Sequence, residues 1–444
     1  MGLLQRQGVI FLNGFYNDYT AKTADLQHVL SHIKSNDVIV CGMAAMEPQQ
    51  FLTDLHTIAN KVKNVEVYTC LNMKAYEFYM KKEYEGSFIN NSWFHNAAIR
   101  SAIKDGLRTA TYVPNNLHEA GMNLLSIQEP DFYVGIASEM DEHGFFTCSL
   151  SATYEKDVIE KAKKVVLEVN KNAPRTHGDT QIHISQVDWL YEVNYPIPEL
   201  PDAQTSETDE KIAGYIAELV HDGSTLQIGI GGIPNAVAGL LKDKRDLGIH
   251  TEMFTESMID LFELGVITNT KKTLWPGKAI CTFALGSKKM YDFIQDNPGV
   301  WLLRGNYVNN PYVIAQNDNM VSVNTAIMVD LTGQVCSESI GTTHFSGTGG
   351  QLDTHRGAVM SKGGKGVIAL SAKTRKGASK IVPVLKPGSG VTVPRQDLDW
   401  VVTDFGIAKL RGLPVNKRAK ELIRIAHPDD RDDLKKQAHD IGLL

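Results

Sequence analysis

The 444-residue sequence predicts an α/β fold with two domains, each built around a mainly parallel β-sheet. Three observations support this prediction. Short apolar runs alternate with longer amphipathic segments, which is the pattern of buried parallel strands covered by helices on both faces. The chain is longer than a single hydrophobic core commonly supports. A segment without periodicity, rich in proline and then in polar residues, divides the chain near its middle.

The N-terminal domain is expected over residues 1–195. Its apolar runs, rich in valine and isoleucine, predict strands at 37–43, 65–70, 111–113, 131–136 and 165–169. Amphipathic spacing predicts helices at 21–35, 48–61 and 154–164. Because strands and helices alternate, we expect neighbouring strands to run parallel.

The proline-rich break indicates a linker at 196–210, followed by a C-terminal domain at 211–444. Thr208 is expected to cap a helix over 209–221, because its hydroxyl can accept an otherwise unpaired N–H. Further strands are predicted near 225–230, 249–253, 279–284, 299–304, 321–329, 366–371 and 400–403. Further helices are predicted to begin near residues 233, 256, 287 and 415.

Composition argues against several classes of protein. The formal net charge is −6, so binding to nucleic acid or to an anionic membrane is not favoured. No run approaches the roughly 18 apolar residues of a membrane span, and no signal-peptide pattern opens the chain. The five cysteines are widely spaced, and the sequence contains neither C-x-x-C nor H-E-x-x-H. We therefore expect no disulfide framework and no metal site, and we expect a cytoplasmic protein.

A glycine-rich turn follows the strand predicted at 225–230. Gly229, Gly231 and Gly232 precede a predicted helix, where backbone N–H groups can stabilise an anion or a developing oxyanion. Pro234 occupies the sixth position of what begins like a dinucleotide fingerprint, and no Gly-Lys-Ser/Thr follows. Close packing of the helix on the strand would also explain these glycines.

Glu252 lies about twenty residues further on, at the end of the next predicted strand. A carboxylate that faces an anion-binding turn is a plausible nucleophile for acyl transfer. We expect the two strands to be parallel neighbours, which would place the turn and the carboxylate at one edge of the sheet. A second cluster contains Gly347, Gly349 and Gly350. It permits close approach of a ligand, although an exposed hairpin loop would have the same composition.

Several segments together resemble one protein family. They are residues 222–237, 247–253, 315–324, 333–341, 345–353 and 426–428, with looser similarity at 141–145 and 178–180. They resemble the acetyl-CoA hydrolase/transferase family, and within it the 4-hydroxybutyrate and butyrate:acetate CoA-transferases. The resemblance implies two CoA-transferase-like α/β domains with the active site in the cleft between them. It also implies a homo-oligomer, either a dimer or a tetramer.

The resemblance assigns roles to individual residues. Glu252 is in the position of the family nucleophile, which forms an acyl-glutamyl anhydride and then a glutamyl-CoA thioester. CoA is thus a substrate and part of a covalent intermediate, and no permanently bound cofactor or metal is implied. The glycines implied to contact the oxyanion and CoA are Gly229, Gly231, Gly232, Gly347, Gly349 and Gly350. A side chain at Gly350 is expected to obstruct the thioester. Candidate polar contacts, with structural hydrogen bonding as the equal alternative, are Gln227, Asn235, Asn317 and Asn324.

The expected substrates are a short-chain acyl-CoA and a small carboxylate such as acetate, butyrate or 4-hydroxybutyrate. The sequence departs from the family at Thr354, at Glu139 and Met140, and across residues 110–123. Arg356 is the one nearby residue expected to be able to hold a second carboxylate group. A transferase for a dicarboxylate such as itaconate or succinate is therefore an alternative.

Three other classes of protein are alternatives to a CoA-transferase. An acyl-CoA hydrolase would use Glu252 but let water attack the enzyme intermediate. A nicotinamide dehydrogenase requires the glycine that Pro234 replaces, and a ligand sensor would carry a DNA-binding motif that is not visible here. Glu338 is the other acid beside a glycine cluster. We expect it to be structural and to accept hydrogen bonds from Ser337 or Ser339.

Overall fold

The computed structural model describes residues 14–201 and 203–444, and the chain divides into two compact units. Unit 1 contains residues 14–113, Gly121–Pro198 and Ile294–Asp296. Unit 2 contains Pro114–Ala120, Glu199–Phe293 and Asn297–Leu444. The first 13 residues of the predicted N-terminal domain, and Asp202 of the predicted linker, lie outside the described residues.

Strands and helices alternate through the first half of the chain. The strands are β1 (Val38–Cys41), β2 (Val65–Cys70), β3 (Phe88–Phe94), β4 (Ala110–Tyr112), β5 (Phe132–Ala137), β6 (Phe145–Thr147), β7 (Lys164–Asn170), β8 (His177–Gly178), β9 (Gln181–His183) and β10 (Trp189–Val193). The helices are α1 (Gly14–Lys22), α2 (Leu26–Ser31), α3 (Gln49–Asp54), α4 (Glu77–Met80), α5 (Ala97–Lys104), α6 (Ala120–Ile127) and α7 (Glu155–Ile159).

Within the described residues of unit 1, seven strands form one sheet in the order β10-β7-β5-β1-β2-β3-β4. Every neighbouring pair runs parallel. The strands β1 and β5 are buried along their whole length, as expected when helices cover both faces of a parallel sheet. Leu30, Phe51 and Phe78 pack against strand residues such as Ile39 and Val67 in the hydrophobic core.

The second half of the chain repeats this alternation. Its strands are β11 (Thr225–Ile228), β12 (Gly248–Ile249), β13 (Met253–Phe254), β14 (Ala279–Cys281), β15 (Phe283–Ala284), β16 (Val300–Leu302), β17 (Met320–Thr325), β18 (Met328–Asp330), β19 (Val335–Cys336), β20 (Ser339–Ile340), β21 (Thr343–His344), β22 (Lys365–Ala369), β23 (Ile381–Val382), β24 (Trp400–Thr403) and β25 (Gly406–Lys409). Its helices are α8 (Glu207–Leu219), α9 (Gly232–Leu240), α10 (Glu256–Glu263), α11 (Lys288–Ile294), α12 (Gly305–Val308), α13 (Pro311–Ile314), α14 (Gln351–Met360), α15 (Val415–Ile425) and α16 (Arg431–Asp440).

In the part of unit 2 that the structure describes, six strands form a sheet in the order β12-β11-β17-β22-β24-β25. All neighbours are parallel except β24 and β25, which form an antiparallel hairpin. Ile368 and Val401 of this sheet pack against Leu422 and Ile425 of α15 in the core. The predicted α/β class with mainly parallel sheets is confirmed. Among the described helices, none combines the length and the apolar character needed to cross a membrane.

Some predicted boundaries were wrong for local reasons. The helix predicted at 21–35 is two helices, because Asp25 caps α2 by accepting the N–H of His28. The residue that caps α8 is Ser206 rather than Thr208, and it forms a capping box with Asp209. The helix α14 was not predicted. Its buried residues include Gln351, Asp353, Thr354 and His355, so it lacks an apolar stripe.

Candidate active site

Glu252 lies in the short segment that joins β12 to β13. Its carbonyl oxygen accepts the N–H groups of Thr282 over 3.0 Å and Phe283 over 3.2 Å, so the backbone is firmly anchored. The preceding strand β12 pairs in parallel with β11, with Leu226 opposite Ile249. The expectation that the strand leading to Glu252 neighbours the strand ending in the glycine turn is confirmed.

Two donors hold the carboxylate of Glu252. Nδ2 of Asn309 donates to Oε2 over 2.7 Å, and the backbone N–H of Gly350 donates to the same carboxylate. Gly350 caps the N-terminus of α14, where the helix dipole favours negative charge. A Cβ atom at Gly350 would overlap Glu252 Oε2 and Asn309 Nδ2. Glycine is therefore required here by the carboxylate itself, in addition to any substrate.

Burial raises the pKa of Glu252 to about 7, and the negative charge of Asp353 acts in the same direction. The hydrogen bonds from Asn309 and Gly350 lower this pKa without offsetting the burial. The residue as a whole keeps partial exposure to solvent. A carboxylate of raised basicity, held in one orientation by two donors, is suited to attack a carbonyl carbon.

Asp353 and His118 form a hydrogen-bonded pair near the Glu252 carboxylate. Nδ1 of His118 donates to Asp353 over 2.8 Å, and the backbone N–H of His118 donates to the other carboxylate oxygen over 3.2 Å. Burial alone would lower the pKa of His118, but the hydrogen bond and the charge of Asp353 raise it overall. Leu117, in the same turn, donates its N–H to the carbonyl of Gly349 over 3.1 Å. The turn that contains Leu117 and His118 therefore supports the second glycine cluster through this hydrogen bond.

Three residues of this site, Asn309, His118 and Asp353, were not predicted from the sequence. Asn309 and Glu252 are 57 positions apart, and His118 and Asp353 are 235 apart, so no local pattern joins them. His118 stands before Glu119, but the second histidine of an H-E-x-x-H motif is absent, so this local sequence indicates no function. Asp353 lies three residues after Gly350, and this proximity to the second glycine cluster was the one available indication of a role.

The first glycine turn is shaped partly by packing. The N–H of Gly229 donates to the carbonyl of Val323 over 3.3 Å, so this donor is already used. Gly231 caps α9 with φ of 118°, a conformation that favours glycine. A Cβ atom at Gly232 would collide with Asp209. Of the three glycines, Gly231 is therefore the one whose backbone conformation most clearly requires glycine. The space that a Cβ atom would occupy at Gly231 is open.

The four candidate polar side chains have hydrogen-bond partners of their own. Gln227 accepts hydrogen bonds from Ser322 and from Asn324, and Asn324 also donates to Thr354 over 3.1 Å. Asn235 donates to the carbonyl of Ala203 over 3.0 Å. Asn317 is completely buried and donates to His250 over 3.3 Å. Each of the four takes part in a structural hydrogen bond within unit 2.

Glu338 orders the second glycine cluster. Its Oε2 accepts the hydroxyl of Thr348 over 2.6 Å, and its carbonyl oxygen accepts the N–H of Phe345 over 2.6 Å. The expectation that Ser337 or Ser339 would donate to this carboxylate was wrong. Ser339 instead accepts the N–H of Gly390 over 2.8 Å. The contacts of Glu338 therefore tie together the loop that leads to Gly350.

Arg356 lines a cavity of about 520 Å³ on unit 2, together with His118, Tyr312 and Arg411. Its Nε and Nη2 donate to the two carboxylate oxygens of Asp397, each over 3.0 Å. The guanidinium is therefore already engaged by a carboxylate of the same unit. In the described part of the chain, no three His, Cys, Asp or Glu side chains are grouped to hold a metal ion.

Comparisons with known proteins define the class of this chain. It is 42% identical to the succinyl-CoA:cyclohexane-1-carboxylate CoA transferase of Geobacter metallireducens, over 97% of this chain and 98% of that protein. It resembles the crystal structure of RipA from Yersinia pestis with a TM-score of 0.91 and 36% identity, over 97% of this chain and 100% of that one. It resembles the 4-hydroxybutyrate CoA-transferase of Porphyromonas gingivalis with a TM-score of 0.79 and 33% identity, over 96% and 100% of the two chains.

The chain is accordingly an enzyme of the CoA-transferase class. Residues 3–201 match the model of the acetyl-CoA hydrolase/transferase N-terminal domain, and residues 286–438 match the model of the C-terminal domain. The chain belongs to the acetyl-CoA hydrolase/transferase family. The resemblance inferred from the sequence segments is confirmed, and so are the CoA-transferase-like folds of its two parts.

Proposed function

We propose that this enzyme moves CoA between a short-chain acyl-CoA and a small carboxylate, with Glu252 as the covalent nucleophile. The observation that carries the proposal is the arrangement of Asn309 and Gly350, which both donate to the Glu252 carboxylate. A glutamate whose pKa burial raises to about 7 is also unusually basic for its type.

The first half of the reaction forms the glutamyl thioester. A carboxylate oxygen of Glu252 attacks the carbonyl carbon of the acyl-CoA thioester, the C–S bond breaks, and CoA leaves as the thiolate. The thiolate then attacks the glutamyl carbonyl of the mixed anhydride and releases the first acyl group as its carboxylate. No proton transfer is needed, because the nucleophile and both leaving groups are anions.

The two hydrogen-bond donors at Glu252 are suited to stabilising the transition state of the second of these steps. When the thiolate attacks the glutamyl carbonyl, negative charge develops on a glutamyl oxygen. Asn309 lies 2.7 Å from Oε2, and the N–H of Gly350 points at the same group. Each donor aimed at an oxyanion contributes about 3 to 4 kcal/mol to transition-state stabilisation in comparable sites. The acceptor carboxylate then repeats the two steps in reverse order.

We propose short-chain monocarboxylates as the preferred pair of substrates, namely acetate and C3–C5 acids of the butyrate and 4-hydroxybutyrate type. Arg356 was the residue expected to be able to hold a second carboxylate group. Its bidentate pairing with Asp397 supports a monocarboxylate, because a dicarboxylate would have to displace an existing partner. A substrate screen that shows clear preference for succinate or itaconate would contradict this part of the proposal.

Mass spectrometry after incubation with acetyl-CoA tests the covalent mechanism. We expect a CoA-sized adduct on the peptide that contains Glu252, and no adduct in the Glu252→Gln variant. Adding acetate or butyrate should discharge the adduct with formation of the matching acyl-CoA. Discharge by water alone, at the same rate with and without carboxylate, would instead identify an acyl-CoA hydrolase. An adduct on another residue would refute the assignment of the nucleophile.

A further inference from the structure

The side chain of His250 lies two residues before Glu252 and is completely buried within unit 2. Its Nε2 donates to the carbonyl of Val308 over 2.8 Å. Its Nδ1 accepts the side-chain N–H of Asn317 over 3.3 Å. These two bonds determine the tautomer, because Nε2 must carry the proton and Nδ1 must not.

We propose that His250 is a positioning residue, which holds the main chain of Val308 so that Asn309 meets the Glu252 carboxylate. This inference rests on the proposed function of Glu252. Asn309 follows Val308 directly and is the C-terminal cap of α12. The strand segment that carries Glu252 therefore also holds, through His250, the turn that carries its hydrogen-bond donor.

Asn309 depends on this support because its own amide has little else to fix it. Among the described residues, its buried Oδ1 has no hydrogen-bond partner. Its Nδ2 donates to the Glu252 carboxylate over 2.7 Å. The position of the amide is consequently determined by the main chain of residues 308 and 309, which the His250 bond anchors. A misplacement of about 1 Å in such a group can reduce a rate by roughly 100-fold.

The surroundings keep His250 neutral, as this role requires. Burial, and next the charge of Lys272, lower the pKa of His250 to about 3. The Nζ of Lys272 donates to the carbonyls of Ile249 over 2.6 Å and Lys278 over 2.7 Å. A protonated imidazole would lose the bond from Asn317, since Nδ1 would then become a donor.

Two variants separate the bond to Val308 from general packing. In His250→Gln, a side-chain N–H can still reach the Val308 carbonyl, whereas in His250→Asn the shorter amide can replace only the contact at Nδ1. We expect His250→Gln to retain kcat within about threefold and His250→Asn to lose about 10- to 100-fold in kcat, with KM little changed. Equal kcat values in the two variants, whether high or low, would overturn the proposal.

A double-mutant cycle tests whether His250 acts through Asn309. If it does, His250→Asn should cost less than threefold in an Asn309→Ala background, because the donor that it positions is already absent. Equal losses in the two backgrounds would show that His250 acts independently and would refute the inference. Thermal melting of all four proteins checks that each is folded. Full activity of Glu252→Gln would instead refute the proposed nucleophile, so the two failures are distinguishable.

Discussion

At the scale of single residues, two hydrogen-bond donors among the described residues hold the Glu252 carboxylate. Asn309 and Gly350 donate to it, and the charge of Asp353 acts from a distance. Glu338 is the other acid beside a glycine cluster, but its carboxylate accepts a hydroxyl from Thr348 and orders a loop. The two glutamates therefore occupy different chemical environments, and matched substitutions distinguish their roles.

Glu252→Gln should reduce transferase activity by several orders of magnitude, comparable to the loss of a covalent nucleophile. The amide keeps the volume of the side chain but cannot form the anhydride. Glu338→Gln is the matched control and should retain measurable turnover, because it removes only a loop contact. Steady-state kinetics and adduct labelling measure both variants. The reverse pattern would mean that Glu338 is the nucleophile.

Gly350→Val should abolish or greatly slow acyl transfer while the protein remains folded. A Cβ atom at this position would overlap Glu252 and Asn309, so the Glu252 carboxylate and its hydrogen-bond donor would be forced apart. Gly239→Ala is a suitable control, because no atom beyond its chain neighbours and the backbone of its own helix lies within 4 Å of the site of its Cβ, and it should have normal kinetics. Near-normal kcat for Gly350→Val would show that the close contact between the Gly350 backbone and Glu252 is not needed for acyl transfer.

At the scale of elements, the strands were more predictable than the site they support. Parallel strands such as β2 and β24 were predicted at their observed positions, because each contains the valine-rich run that is typical of a mostly buried strand. The helix α14 was not predicted, since it buries Asp353 and His355 where an amphipathic helix would have apolar residues. Glu252 and Gly350 could be proposed as site residues by resemblance, and their roles stay a prediction. Asn309 could not, because the fold alone brings it to the carboxylate.

The first turn of α14 connects this element to the chemistry. Asp353 raises the pKa of Glu252 by its negative charge, so Asp353→Asn should lower that pKa toward its ordinary value. The acid limb of the kcat/KM profile should then move to lower pH, because Glu252 acts in its ionised form. Asp397→Asn is a control for loss of an acid in the same unit, and it should leave this limb in place. An unchanged limb in Asp353→Asn would contradict the electrostatic coupling.

At the scale of the whole molecule, a carboxylate as desolvated as that of Glu252 should reduce stability when it ionises. Burial raises the pKa of Glu252 to about 7 from an ordinary value of 4.5. A raised folded-state pKa means that the stabilising contribution is complete below about pH 4.5 and is lost as pH rises through 7. The ionised form that catalysis requires is thus the form that the folded protein accommodates least well. This is the expected conflict between activity and stability at a working site.

This conflict predicts how Glu252→Gln changes stability with pH. The variant cannot ionise at this position, so it should become more stable than the wild type as pH rises from 5 to 8. The pKa difference corresponds to up to about 3 kcal/mol at pH 8, since one pKa unit is worth about 1.4 kcal/mol. Chemical denaturation of both proteins at several pH values measures this difference, with Glu338→Gln as the control for an added amide. A gap between Glu252→Gln and the wild type that is constant across this range would mean that Glu252 ionises as an ordinary glutamate. The proposed link between its burial and its reactivity would then be wrong.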